Sequence, residues 1–149
     1  MFSAKKYTVK VYTGDVKGAG TDANVFINIF GSTGNTGERK LLKSETHTDK
    51  FERGQVDIFA IEAVDLGKVF KVKIRHDNSM FGPAWFLDKV EVIDPVDNET
   101  FTFYCERWLA KNKEDCKIER SLYVKVHKIY LFLLHRPCLR CFTIIYHLF

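Results

Sequence analysis

The chain has 149 residues, which suits one domain with a sizeable core and not two. Its formal charge of +4 gathers at one end: residues 126–149 hold Lys128, Arg136 and Arg140 with no acid, leaving 20 basic against 19 acidic residues, a net of +1, in the rest. That balance excludes the basic footprint of a nucleic-acid binder, and four cysteines behind an N-terminus with no apolar signal stretch point to a reduced, cytoplasmic setting.

In chain order, Tyr7-Thr8-Val9-Lys10-Val11 alternates apolar and polar residues and predicts a strand with Tyr7, Val9 and Val11 inward. Thr13-Gly14-Asp15 ends it. After Gly20-Thr21-Asp22, the residues Val25, Ile27 and Ile29 alternate with Phe26, Asn28 and Phe30, so Asp22 stands at the mouth of a second strand. Turn signals follow at Gly31-Ser32-Thr33-Gly34-Asn35 and Asp65-Leu66-Gly67, with the polar segment Asp49-Lys50-Phe51-Glu52-Arg53-Gly54 between them. Val72, Ile74 and His76 alternate with Lys71, Lys73 and Arg75, giving a strand with one apolar and one basic face. Beyond Asp77-Asn78-Ser79, a strand starting near Trp85-Phe86-Leu87 carries Val90 and Val92 inward. Asp97-Asn98-Glu99 then turns into Phe101, Phe103 and Cys105. Short alternating runs with thirteen Phe and six Tyr predict an all-β antiparallel sandwich of about eight strands between Tyr7 and Val124. Cys105, Trp85 and Trp108 are expected in its core.

Chemistry concentrates in two loops. Gly20 lets the backbone turn sharply and bring carbonyls inward, while Asp22, Asp49 and Glu52 supply the hard oxygens that a hard cation prefers. The competing reading is structural, with Asp22 capping a turn and Glu52 paired to a neighbouring Arg. The sequence holds no Gly-x-Ser-x-Gly elbow, no phosphate-cradling glycine loop before a helix and no His-Glu-x-x-His zinc helix, so a non-catalytic module is expected.

Tyr7-Thr8-Val9-Lys10-Val11, Gly20-Thr21-Asp22, Phe51-Glu52-Arg53-Gly54, Ile74-Arg75-His76-Asp77-Asn78 and Trp85-Phe86-Leu87 occur in the order seen in PLAT (lipoxygenase-homology) domains. The chain resembles that family from about Lys5 to Val124. Such modules stand at the front of animal lipoxygenases and in pancreatic lipase and polycystins, and the likeness is greatest to the repeats of a multi-module member from hair cells. The resemblance implies an eight-stranded C2-like β-sandwich that binds calcium and docks on anionic membrane lipid. It implies backbone or hydroxyl oxygens from Gly20 and Thr21 and carboxylates from Asp22, Asp49 and Glu52 as calcium ligands. Lys17, Lys50 and Arg53 would meet lipid headgroups, and Met80 and Phe81 would form an apolar loop tip.

Three departures from the family pattern stand out. Lys50 replaces a frequent Asp, Pro83 and Ala84 replace the aspartates before the Trp of the third loop, and Lys17 lies where lipoxygenases carry a Trp. Fewer carboxylates imply weak calcium binding, with Asp77 and Asn78 as possible substitutes. By the same resemblance the module would work peripherally at the plasma membrane, in a stereocilium, linking membrane and cytoskeletal proteins. The alternative is a protein-interaction or scaffold repeat that binds neither lipid nor calcium.

From Val126 the alternation stops, and 16 of the 24 remaining residues are apolar or aromatic. Lys128, His135, Arg136, Pro137 and Arg140 interrupt the run, which argues against a membrane-spanning helix. The readings left are a membrane-surface segment, a zinc site at Cys138-x-x-Cys141 with His135 and His147, and a non-homologous tail outside the fold. A non-homologous tail is the expectation, with the domain at residues 5–125.

Overall fold

The computed structural model describes residues 4–125, and the readings of residues 126–149 lie outside them. Nine strands form: β1 (Lys5–Thr13), β2 (Val25–Gly31), β3 (Gly34–Asn35), β4 (Arg39–Lys40), β5 (Val56–Ala63), β6 (Val69–His76), β7 (Trp85–Ile93), β8 (Thr100–Leu109) and β9 (Glu119–Tyr123). They make two antiparallel sheets. One runs β5-β1-β7-β8; the other runs β3-β2-β6-β9, with β4 also paired to β2. The ninth strand exceeds the expected eight because the return from β2 pairs twice with it in two-residue pieces, Phe30 with Asn35 and Phe26 with Lys40.

Period-two alternation decides which side chains fill the space between the sheets. Tyr7, Val9, Val11, Val25, Ile27, Ile29, Val72, Ile74, Val90, Val92, Phe101 and Phe103 are all buried, as the sequence predicts. Loops contribute more: Phe51 joins the core at one end, against Phe59 and Trp85, and Leu66 at the other, beside Tyr7. Tyr7 is fully enclosed and its hydroxyl accepts the Leu66 N–H at 2.9 Å, which meets the need of a buried phenol for a partner. Gly31 allows this packing, since a Cβ there would lie 2.0 Å from the Leu66 carbonyl oxygen.

Trp85 is buried as expected, with its indole N–H donating to the Thr13 hydroxyl at 2.9 Å. Trp108 is not a core residue. It pairs with Phe86 across β7 and β8, and Phe86 lies between the inward Trp85 and Leu87, so alternation turns both rings to the outer face. There they meet edge to face at 5.4 Å, with Lys113 over the indole. Cys105 is only half-buried, against the rim of the core, beside the register shift at Leu87 and Lys89. Burial pushes its thiol up to about 11, against any role as a nucleophile.

The strand directions create two poles. One gathers the loops 14–24, 41–55, 77–84 and 110–118; the other gathers the turns 32–33, 64–68 and 94–99. Lys5 pairs with Ala63 and Tyr123 with Lys71, so both ends of the described chain stand at this second pole.

Candidate cation and lipid site

Phe51 organises the first pole. It is a bulky residue held at φ 61, a backbone region disfavoured for such side chains, so its surroundings must compensate the strain. They do so in three ways. Its ring stacks on Phe59 at 5.7 Å and meets Trp85 edge to face at 5.4 Å. Its N–H donates to Asp57 Oδ2 at 2.8 Å, and its carbonyl accepts the Thr21 N–H at 3.0 Å. The last bond ties the loop of Asp22 to that of Asp49 and Glu52.

Gly20 works differently from the sequence expectation. Its φ is not left-handed; a Cβ there would meet the Phe51 carbonyl oxygen at 3.1 Å and the Arg53 nitrogen at 3.3 Å. The glycine is needed for contact between loops rather than for a turn. Thr21 is buried, and its hydroxyl accepts the Ala23 N–H at 3.1 Å while donating to the Pro83 carbonyl at 2.9 Å. That hydroxyl therefore joins the first and third loops. The Thr21 hydroxyl, a candidate ligand from sequence, is thus already engaged, as is the Pro83 carbonyl.

These ties bring Asp22, Asp49 and Glu52 together, with one carboxylate oxygen from each within 4.8 Å of the others. Among the described residues none of the three makes an ion pair. The structural alternative fares poorly on geometry: Arg53 reaches Asp15 at 2.7 Å and not Glu52, and Thr21, not Asp22, closes the local turn. Partial burial pushes the Glu52 carboxyl up from its ordinary value, helped by the negative charges of Asp49, Asp22 and Asp57. A cluster of hard oxygens destabilised by its own charge fits a hard divalent cation, which would remove the repulsion.

Asp57 is the residue that sequence reading missed. It lies on β5, fully buried, and accepts from Phe51 N–H, from the Ser44 hydroxyl at 3.1 Å and from Gln55 Nε2 at 3.2 Å. Gln55 in turn donates to the Asp49 carbonyl at 2.7 Å. Only its place at an inward position of an alternating strand, Val56-Asp57-Ile58, signals an acid with a structural task.

Asp77, considered as a substitute ligand, is committed elsewhere. It accepts from the Ser79 hydroxyl at 2.5 Å and from Asn24 Nδ2 at 2.8 Å, bonds that hold its carboxyl far below the usual carboxylate range. Beside it, the buried His76 donates from Nε2 to the Leu109 carbonyl at 2.7 Å and accepts the Asn78 N–H at Nδ1, an arrangement that requires the neutral ring. Burial accordingly pushes its pKa down. Together these groups fix the base of the loop whose tip carries Met80 and Phe81, 68% and 98% exposed.

Two shallow clefts flank the carboxylates. One, of about 300 Å³, runs between Glu52, Asp22, Arg53 and Phe81; the other, of about 120 Å³, lies between Asp22, Asp49, Lys50 and Leu42. Lys17 is exposed on the first loop but lines neither.

Residues 7–123 match the PLAT/LH2 domain. The chain belongs to this family. It is 51% identical over 119 residues to human lipoxygenase homology domain-containing protein 1, covering 80% of the chain and 6% of that protein. The coral 8R-lipoxygenase, which is activated by calcium through a C2-like domain, superposes with a TM-score of 0.67 at 26% identity, over 88% of this chain and 20% of that one. A calcium-dependent 11R-lipoxygenase gives 0.58 at 32% identity, over 80% and 17%. The PLAT domain described here thus spans a small fraction of each relative, and is related to the calcium-regulating C2-like domain of lipoxygenases. Among its described residues no helix is long and apolar enough to cross a membrane.

Proposed function

We propose that this PLAT domain is a non-catalytic, calcium-assisted module that docks on anionic membrane lipid. The observation that carries the reading is the convergence of Asp22, Asp49 and Glu52 beside the fully exposed Phe81. Calcium held by these carboxylates, with backbone oxygen from Gly20 or Thr21, would supply positive charge to bridge to lipid phosphate. Met80 and Phe81 gain free energy by leaving water for the interface. Lys17 and Lys50, unpaired among the described residues, each contribute on the order of 1 kcal/mol near an anionic surface. Arg53 contributes less, because Asp15 already holds it. With three carboxylates, binding should be weak, roughly 10⁻⁵ to 10⁻³ M.

Likeness to the lipoxygenase homology domain-containing protein supports a finer reading, in which the module links plasma-membrane proteins to the cytoskeleton in stereocilia. One observation favours such a protein-binding role alongside lipid. The outer face of β2, β6 and β9 interleaves cations with aromatics: Arg75 lies over Phe26 at 4.1 Å, and Lys71 over Phe30 at 4.8 Å and Tyr123 at 5.8 Å. Such preordered amphipathic side chains suit a protein contact. Co-sedimentation with phosphatidylserine-containing vesicles, with calcium and with chelator, separates the roles. Calcium-dependent pelleting supports the membrane module; absence of pelleting under both conditions rejects it in favour of the scaffold.

A further inference from the structure

We infer that Leu42 is a second lipid-insertion point, placed across the carboxylate cluster from the Met80 and Phe81 tip. The inference rests on the membrane reading and assigns to it a residue with no sequence signal. Leu42 follows β4, where the Leu41 N–H donates to the Val25 carbonyl at 2.9 Å and the Leu41 side chain enters the core. Alternation then turns Leu42 outward, and it is 64% exposed. Exposure alone decides nothing, since Val64 and Val96 are also exposed at the opposite pole. Position does.

Asp22 lines both clefts, so the carboxylates form the wall between them, with Phe81 at the rim of one and Leu42 at the rim of the other. Lys40 and Lys50 border the Leu42 cleft and carry no acidic partner among the described residues. The pole therefore presents an ionic centre between two separated apolar side chains, with Lys40 and Lys50 beside Leu42 and the Asp15-paired Arg53 beside Phe81. Phe81 and Leu42 line separate clefts among the described residues, whereas a peptide helix docks its apolar face into one continuous groove. A fluid anionic interface adapts to each point independently. Contact at Phe81, the ionic centre and Leu42 would also fix the tilt of the sandwich, which insertion at Phe81 alone leaves free.

The test uses the full chain and phosphatidylcholine vesicles containing phosphatidylserine, comparing wild type with Leu42→Ser, Phe81→Ser and, as a far-pole control, Val96→Ser. Leu42→Ser should weaken calcium-dependent vesicle binding about five- to tenfold, a loss in line with withdrawing one aliphatic side chain from an apolar phase. It should leave lipid-free calcium affinity and melting temperature unchanged, and Val96→Ser should bind as wild type. In Leu42→Trp, tryptophan emission should shift to the blue with vesicles and calcium and be quenched by brominated lipid. Wild-type binding by Leu42→Ser, with Phe81→Ser impaired, would overturn the role of Leu42 and leave the membrane reading standing. Failure of wild type to bind vesicles at all would overturn both.

Discussion

The two poles of the sandwich carry comparable sets of carboxylates and treat them in opposite ways. At the far pole Asp65 and Asp94 both meet Lys5, at 3.1 and 3.2 Å, and Glu99 pairs with Lys68. At the site pole Asp22, Asp49 and Glu52 converge with no cation of the described chain among them. The same contrast marks the backbone: Phe51, Asn78 and Met80 take left-handed conformations at the site pole, and Asn98 alone among non-glycine residues does so in the far-pole turns. An acid neutralised from within is a structural device. One left to its neighbours' repulsion is a vacancy for outside charge, and its cost in stability is tolerated because the core beneath it, from Phe51 to Trp85, is well packed.

That contrast can be broken most severely at Asp57, the fully satisfied acid of the site pole. Asp57→Ala strands the buried Phe51 N–H and removes one bond each from Ser44 and Gln55, so it should lower unfolding free energy by about 3 kcal/mol in urea titrations. An unchanged midpoint would show that the loop carries its own order. Next in size, Asp22→Asn should weaken calcium binding by at least about tenfold in calorimetric titration, whereas Asp65→Asn at the far pole should leave it intact. Equal heats for Asp22→Asn and wild type would remove Asp22 from the ligand set.

A smaller effect should separate the poles in metal-free buffer. The folded-state pKa of Glu52 is raised, so its ionised form opposes folding, and stability should fall as pH rises from the unfolded value of 4.5 through the folded one. The Asp65 pKa is lowered, by the Gly67 N–H and then by Lys5; its contribution is present above 3.8 and is lost as pH falls through the folded value. At neutral pH, Glu52→Gln should thus raise the metal-free melting temperature by about a degree and Asp65→Asn should lower it by a similar amount. Changes of the same sign would erase the distinction between the poles. The smallest effect expected is that of truncation after Lys125: both the melting temperature, within about a degree or two, and calcium-dependent vesicle binding should survive it. A fall of many degrees would place the domain boundary beyond Lys125.

Much of this was legible in the sequence because alternation is a local property. The inward sets of β1, β2, β6 and β7 follow from counting every second residue, and Asp22, Asp49 and Glu52 stand in motifs whose order is characteristic of the family. What escaped are meetings across long separations. Nothing in Arg53 announces Asp15, 38 residues away, and Thr21 gives no hint that its hydroxyl will be spent on Pro83. Leu42 follows an inward leucine with no charged motif to mark it. Trp108 departs from expectation for a simpler reason: its residue type suits a core, but its pairing with Phe86 puts it on the outer face.

Because Lys5 and Tyr123 share the far pole, tension along the chain would act across the sandwich rather than along its strands. β1 is held by two neighbours, β5 and β7, whereas β9 hangs on β6 through the five pairs from Lys71–Tyr123 to Arg75–Glu119. A pull on the Tyr123 end therefore loads those pairs one after another, as a zipper opens, instead of shearing them together. Under such a load β9 would be the first strand to yield. It would peel from the far pole towards Glu119, so the loops of Asp22, Glu52 and Phe81 would be the last to feel the strain.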